Sequence, residues 1–186
     1  MTPSPTPTPS PTPTATATAS PTATPSCSAP AGGSMSGHVS YCSNPVPAPV
    51  PGVAIHWITV TFVTDSFGNY SFFNKGEGGW VTCSKAALIP GSPGINTVDV
   101  VAVQRHFLTI GPPLSGCRLT AADVNGDLSI NTTDVVAIQR FVLGFSNGTA
   151  YVGKYRFDPP IRCFNPQPNQ NFDTLIFGDV AAPFIY

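Results

Sequence analysis

The segment that decides the fold is repeated: INTVDVVAVQR at residues 95–105 returns as INTTDVVAIQR at residues 130–140. Nine of the eleven positions are identical, and the two copies are 35 residues apart. The apolar residues follow a helical period in both copies. One such short unit would leave its apolar stripe exposed, so the repeat predicts two related helical units that pack as a pair.

A twelve-residue loop, DVNGDLSINTTD at residues 123–134, leads into the second helix. It has oxygen-bearing side chains at positions 1, 3, 5, 9 and 12 and offers a carbonyl at position 7, which is EF-hand spacing. A hard cation such as calcium needs six to eight oxygens at about 2.3–2.6 Å. The loop therefore predicts one calcium site, with the ligands Asp123, Asn125, Asp127, Ser129 through its backbone, Asn131 through water, and Asp134.

Two positions differ from the standard calcium loop. Position 6 is normally Gly because the turn needs a left-handed residue, and here it is Leu128, which costs about 1 kcal/mol if that geometry is kept. Position 12 is Asp134 instead of Glu. The alternative interpretation is a surface loop at a helix N-terminus, in which Thr132 or Thr133 only caps the helix.

The first repeat lacks the metal-binding half of the pattern. Counted back from Asp99, positions 1, 3 and 5 are Leu88, Pro90 and Ser92, and none is a carboxylate. The sequence thus predicts one calcium ion and not two. Asp99 is expected to cap its helix or to pair with a Lys or Arg.

Short runs of β-branched and aromatic residues flank the helical part, which indicates strands. They lie at residues 35–41, 52–63, 69–73 and 80–84, and again at 154–157, 161–164 and 171–177. Residues 64–69 have the composition of a turn that can close a hairpin. The expected fold class is α+β: an antiparallel β-sandwich with a small all-α pair inserted into it.

Residues 1–26 consist almost entirely of Pro, Thr, Ser and Ala and cannot bury a core. This composition favours a polyproline spacer, or else a disordered tail with no role. The expected domains are a Thr/Pro-rich linker at 1–33, the first part of the sandwich at 34–87, the helical pair at 88–148, and the last strands with a C-terminal tail at 149–186.

The charge pattern bears on the classes of partner. Charged residues make up 9% and the net charge is -1, so we expect neither nucleic-acid binding nor a polybasic membrane contact. The longest apolar stretch, residues 52–63, is far shorter than the roughly 20 residues of a spanning helix. The chain starts without a basic and then apolar export signal, so such a signal is expected upstream, or the start was assigned late.

Five cysteines are scattered without a C-x-x-C pair, which argues against a zinc or redox motif. The odd count leaves at least one unpaired, and Cys42 with Cys83 is the first bridge to test. No paired acid and base for glycoside hydrolysis is recognisable. His38, His56 and His106 are widely spaced without a nucleophile motif, so we expect no enzyme.

The second loop and its helix resemble the dockerin family, whose units read Asp-x-Asn-x-Asp-Gly-x-Ile-Asn-x-x-Asp before an apolar helix. The resemblance covers about residues 88–145, and in the second loop only the Gly is replaced. It implies an extracellular or cell-surface module that docks to a cohesin-like domain. The implied contact residues are Thr132, Thr133, Gln139 and Arg140, with Thr97, Val98, Gln104 and Arg105 as the symmetric set.

An ordinary structural explanation of the same helix stays open. In it Val135, Val136, Ile138 and Leu143 are core residues, while Gln139 and Arg140 form a solvated face.

The flanking strands look like a carboxypeptidase regulatory-like or collagen-adhesin B-type sandwich. The resemblance lies in SGHV at 36–39, PGV at 51–53, TDSFGNYSF at 64–72, YRFDP at 155–159 and NF at 171–172. It implies a transthyretin-like sandwich in which the helical pair occupies a loop.

Three functions follow as expectations. The first is a docking module in a polysaccharide-degrading or surface assembly. The second is a structural stalk that calcium only stiffens. The third is polysaccharide binding by the sandwich through Trp57, Trp80 or Tyr70.

Overall fold

The structure is a computed structural model, and it describes residues 27, 32–41, 48–74, 76 and 78–181. The Thr/Pro-rich segment 1–26 therefore lies outside the described residues, as do positions 182–186. The described elements are strands β1 (Gly33–Tyr41), β2 (Ala48–Pro49), β3 (Ala54–Trp57), β4 (Val60–Val63), β5 (Asn69–Asn74) and β6 (Trp80–Ser84), helices α1 (Thr97–Phe107), α2 (Gly116–Ala122) and α3 (Thr132–Val142), and strands β7 (Tyr155–Asp158), β8 (Ile161–Cys163) and β9 (Phe172–Ile176).

The strands form two sheets. One has the order β2-β1-β9-β7, with β5 paired to β1, and the other has the order β4-β3-β6-β8. Strands that follow the helices pair with strands that precede them, because β9 lies on β1 and β8 on β6. The α+β class is confirmed, and the helices lie between β6 and β7 in the chain.

The sheets are not purely antiparallel, which corrects the expectation from the sequence. Strands β1 and β9 run parallel, with Val39 opposite Phe172. Antiparallel strands can be joined by a short turn, whereas parallel ones need a long connection. Here residues 42–171 separate the two strands, so no local turn signal in the sequence could report their direction.

One strand prediction and one turn prediction were also wrong. The run at residues 52–63 is two strands, since the chain reverses at Ile58 and pairs Trp57 with Val60. Ile58 has φ 51°, which is a left-handed value. β-branched residues rarely adopt such a value, so the residue type did not predict a turn there. The turn at residues 64–69 does not close a hairpin, because β5 pairs with β1 and not with β4. It carries the chain from one sheet to the other.

The core is continuous from the sheets to the helices. The ring centroids of Trp57 on β3 and of Phe164, which follows β8, each lie 5.7 Å from the ring centroid of Phe72 on β5. In the helical part Ile95 is 1% exposed and Ile138 is fully buried. None of the described helices is long and apolar enough to span a bilayer.

Cys27 and Cys163 form a disulfide, and Cys117 is also disulfide-bonded. Cys83 is a free, half-buried thiol. The Cys42–Cys83 bridge is therefore wrong, and Cys42 itself lies outside the described residues. Burial raises the pKa of the Cys83 thiol to about 12, so this group stays protonated near neutral pH.

Candidate functional site

The N-terminus of α3 is capped by Asn131. Its side chain accepts a hydrogen bond from the Thr133 N–H at 2.7 Å, and the Asp134 carboxylate accepts one from the Asn131 N–H at 3.0 Å. The Asn131 side chain also accepts from the Asp134 N–H, so Asn131 and Asp134 form a capping box. The cap is thus Asn131 and neither Thr132 nor Thr133, which corrects the alternative interpretation of the loop.

Asp123 is the C-cap residue of α2, and its side chain holds the first half of the loop by hydrogen bonds. Its carboxylate accepts hydrogen bonds from the N–H groups of Gly126 at 2.9 Å, Asp127 at 3.2 Å and Leu128 at 3.0 Å. Three amides of one tight turn therefore converge on a single carboxylate.

The middle of the loop is held by Asp127 and Asn125. Asp127 accepts from the Ser129 N–H and from the Asn125 side-chain amide, both at 2.8 Å. The Asn125 side-chain oxygen in turn accepts from the Asp127 N–H at 3.0 Å. The two side chains at positions 3 and 5 are thus in direct contact.

Asp134 joins the two ends of the loop. It is fully buried, and its second oxygen accepts from the Val124 N–H at 3.0 Å, ten residues earlier in the chain. Transferring a carboxylate from water into the protein interior costs free energy unless hydrogen bonds or a cation compensate its charge. The six residues predicted as calcium ligands are therefore assembled in one hydrogen-bonded loop.

Leu128 has the left-handed backbone that loop position 6 requires, with φ 65°. Its side chain is 93% exposed, so it gains almost nothing by packing. The strain expected from the sequence is present in the structure. The turn keeps the geometry of a calcium loop even though Gly is missing.

The donor set fits a hard cation. The described residues contain no group of three or more His, Cys, Asp or Glu side chains that could hold a metal by themselves. The loop instead combines carboxylate oxygens with an amide oxygen and a backbone carbonyl, the mixture typical of calcium loops. Asp123, Asn125, Asp127, the Ser129 carbonyl and Asp134 would hold the ion, with Asn131 contributing through water.

The first repeat uses its equivalent carboxylate differently. Asp99 is fully buried and accepts from the Asn96 N–H at 2.9 Å, so the predicted helix cap is confirmed. Its other oxygen accepts from the N–H groups of Val180 and Ala181, both at 2.9 Å. Two backbone amides therefore hold that oxygen.

The predicted docking residues are mostly on the surface. Thr97, Val98, Gln104 and Arg105 on α1 are exposed, as are Thr132, Thr133 and Gln139 on α3, whereas Arg140 is half-buried. Arg140 donates to the Asn147 carbonyl at 2.7 Å, and its guanidinium lies 5.3 Å from the Phe145 ring. The two halves of the set are therefore similar in position but not in contacts.

The assignment of core residues on α3 was correct only in part. Val135 and Ile138 are 6% and 0% exposed, but Val136 and Leu143 are 51% and 66% exposed. Apolar residues on both sides of a short helix do not show from their spacing alone which side is buried. The structure places Val136 and Leu143 on the outer surface.

Sequence reasoning missed that the exposed apolar residues repeat. Val101 and Val136, Leu108 and Leu143, and Ile110 and Phe145 are three pairs, each related by the 35-residue offset, and all six side chains are between 48% and 66% exposed. The offset itself was the signal that could have identified them. Thr132, Thr133 and Val136 also line a groove of about 540 Å³.

The aromatic residues considered for polysaccharide binding are mostly in the core. Trp57 and Tyr70 are 7% and 4% exposed, and Trp80 is half-buried. His56 lies half-exposed on β3 and hydrogen-bonds Thr61 at 3.0 Å and Ser84 at 2.6 Å. The His56 ring is thus oriented by hydroxyl groups and not by the carboxylate that nucleophilic catalysis would use.

Comparison with known proteins identifies the class of the helical segment. Residues 91–143 match the family model described as Dockerin type I domain. No curated protein and no solved structure matches the chain. The match covers both copies of the repeat and the whole loop 123–134, so the resemblance read from the loop is confirmed for this segment.

Proposed function

We propose that residues 88–148 form a non-catalytic, calcium-binding docking module for a cohesin-type protein domain. The observation that carries the proposal is the loop at 123–134, because its six oxygen donors and its left-handed Leu128 occur within a segment that matches the dockerin type I model. Dockerin domains are docking modules for cohesin domains. The proposed setting is extracellular or at the cell surface.

One calcium ion is proposed, and it is assigned to the second repeat. Bound there, it would supply positive charge to three carboxylates, those of Asp123, Asp127 and Asp134. The chain's own hydrogen bonds already bring these groups into one loop, so the ion is expected to stabilise this arrangement more than to create it. A fixed loop also fixes the orientation of α3, which begins at the end of the loop. The exposed side of α3 is then held in one direction.

The docking surface is proposed on the outer sides of α1 and α3. It combines the exposed Thr and Gln residues with the repeated apolar pairs that centre on Val101 and Val136. Apolar side chains exposed next to one another, with polar groups around them, are typical of protein interfaces. Position 98 is Val where position 133 is Thr, so the two halves offer different chemistry to a partner.

The docking proposal is tested by titrating a recombinant type I cohesin domain into the full chain, with calcium and then with excess chelator. Binding that depends on calcium supports the proposal. A Leu143→Asp variant should lose binding and keep its calcium affinity, since Leu143 lies outside the loop. An Ile89→Asp variant is the matched control, because Ile89 is 76% exposed but is not one of the repeated apolar pairs of the proposed docking surface.

A structural stalk is the second candidate function. The segment that follows β9 is hydrogen-bonded to the helical part of the chain: the Gly178 N–H donates to the Ala121 carbonyl of α2 at 2.8 Å, and the Phe177 carbonyl accepts from the Gly153 N–H at 2.9 Å. In this proposal residues 34–87 and 149–186 form the carboxypeptidase regulatory-like sandwich, residues 1–33 a spacer, and calcium only stiffens the whole. Calcium binding without cohesin binding would favour it.

A further inference from the structure

The two repeats treat the same carboxylate in different ways. Asp99 and Asp134 occupy equivalent positions, both are fully buried, and one oxygen of each closes a capping box. The remaining oxygen of Asp134 faces an amide of its own loop, at Val124. The remaining oxygen of Asp99 holds two amides from a segment 81 residues away, at Val180 and Ala181.

That distant segment, residues 177–181, is inserted among the helices. Gly178 donates its N–H to the end of α2 at Ala121, and the Phe177 carbonyl accepts from Gly153. A side chain at position 178 would lie 2.8 Å from Val152, and the φ of 93° there also favours Gly. Val180 is 2% exposed. The segment is therefore closely packed, and position 178 has room only for Gly.

A second buried carboxylate lies within the same segment. Asp179 is 1% exposed, and one of its oxygens accepts a hydrogen bond from the Tyr41 hydroxyl. Its other oxygen has no hydrogen-bond partner among the described atoms. The charged and titratable groups that act on it are Tyr41 from β1, Asp99 from α1 and Arg118 from α2.

We propose that residues 177–181 form a proton-sensitive latch, which takes the place of a cation at Asp99 and stays closed while Asp179 is protonated. Two amide N–H groups compensate the negative charge of Asp99. Ionisation of Asp179 adds a second negative charge in the same buried space. The Arg118 charge opposes that cost, but one Asp179 oxygen has no hydrogen-bond donor among the described atoms. Opening the segment would return that charge to water.

The direction of the pH effect follows from the environment of Asp179. Burial raises its pKa to about 7, the Tyr41 hydrogen bond opposes that rise, the Asp99 charge adds to it, and Arg118 opposes it. A carboxyl whose pKa is raised in the closed state binds its proton more tightly there. The latch is therefore fully stabilised below pH about 4, near the ordinary carboxyl pKa, and this stabilisation is lost as the pH rises towards 7.

Amide hydrogen exchange tests the latch in the full chain saturated with calcium. After correction for intrinsic exchange, the opening constant at Val180 and Ala181 should rise about tenfold per pH unit between pH 4.5 and 6.5. The Val124 amide of the second repeat should not follow this rise. In Asp179→Asn the pH dependence should disappear, whereas Asp158→Asn, an exposed carboxyl on β7, should retain it.

Two results would overturn the latch: a flat opening constant at Val180 and Ala181, or a pH dependence that persists in Asp179→Asn. If that variant does not fold, carbon NMR of the Asp179 carboxyl in the unmodified protein decides instead. A titration midpoint near 7 supports the latch and a midpoint below 5 refutes it. None of the proposed calcium ligands belongs to the latch, so its failure would leave the calcium proposal untouched.

Discussion

Replacing Leu128 with Gly should stabilise the protein, although it removes a large apolar side chain. The Leu128 backbone is left-handed, with φ 65°, and its side chain is 93% exposed. A residue with a Cβ atom pays about 1–2 kcal/mol in this conformation. Gly avoids that strain but loses about 0.5–1 kcal/mol through the extra freedom of its unfolded chain. Since almost no packing is lost, the net gain should be about 0.5–1 kcal/mol.

The gain should be nearly the same with and without calcium, because the turn at Leu128 is already left-handed before an ion binds. The calcium dissociation constant should therefore change by less than about twofold, which corresponds to about 0.4 kcal/mol. Chemical denaturation with and without calcium measures the stability term, and calorimetric titration measures the affinity. Leu128→Ala is the matched control, because it removes the same exposed side chain but keeps the Cβ atom and therefore the strain.

A Gly variant that is less stable than the unmodified protein would contradict the proposed backbone strain at Leu128. An Ala variant whose free energy of unfolding rises as much as that of the Gly variant would contradict it as well. Equal gains would mean that exposure of the leucine side chain, and not its backbone, carries the cost. A stabilised Gly variant beside an unchanged Ala variant is the outcome that the structure predicts.

Three further predictions concern other parts of the molecule. Asp134→Ala should lower the free energy of unfolding by about 2–3 kcal/mol, since two N–H groups lose their acceptor. It should also abolish the calcium signal in a titration. Asp99→Ala should lower the free energy of unfolding comparably, measured in urea, but should leave the calcium stoichiometry unchanged. Val136→Asp and Leu143→Asp should each change stability by less than about 0.5 kcal/mol, whereas binding to a cohesin domain, measured by surface plasmon resonance, should be lost. Cys83 should react with a thiol reagent at pH 8 only as fast as the protein unfolds, because burial keeps its pKa at about 12, and rapid labelling in the folded protein would contradict this.

The helical pair and its loop could be predicted because their signals are local. The helical period, the internal repeat and the twelve-residue ligand pattern can all be read from one continuous stretch, residues 95–140. The left-handed backbone of Leu128 also followed from its position in that pattern. Each of these features depends on residues that are close in sequence.

The features that could not be predicted depend on distant partners. The second oxygen of Asp99 is filled from Val180 and Ala181, and no spacing rule connects residues so far apart. The exposure of Val136 depends on which side of α3 meets the rest of the protein. The left-handed turn at Ile58 carries none of the usual turn residues, so propensity pointed to a continuous strand.

Calcium binding by the loop at residues 123–134 is measured by calorimetric titration of calcium into chelator-treated protein, beside an Asp123→Ala, Asp127→Ala double variant. We expect one site per chain, a raised unfolding temperature on binding, and loss of both effects in the double variant. Absence of binding at millimolar calcium would contradict this expectation, and so would unchanged binding in the double variant.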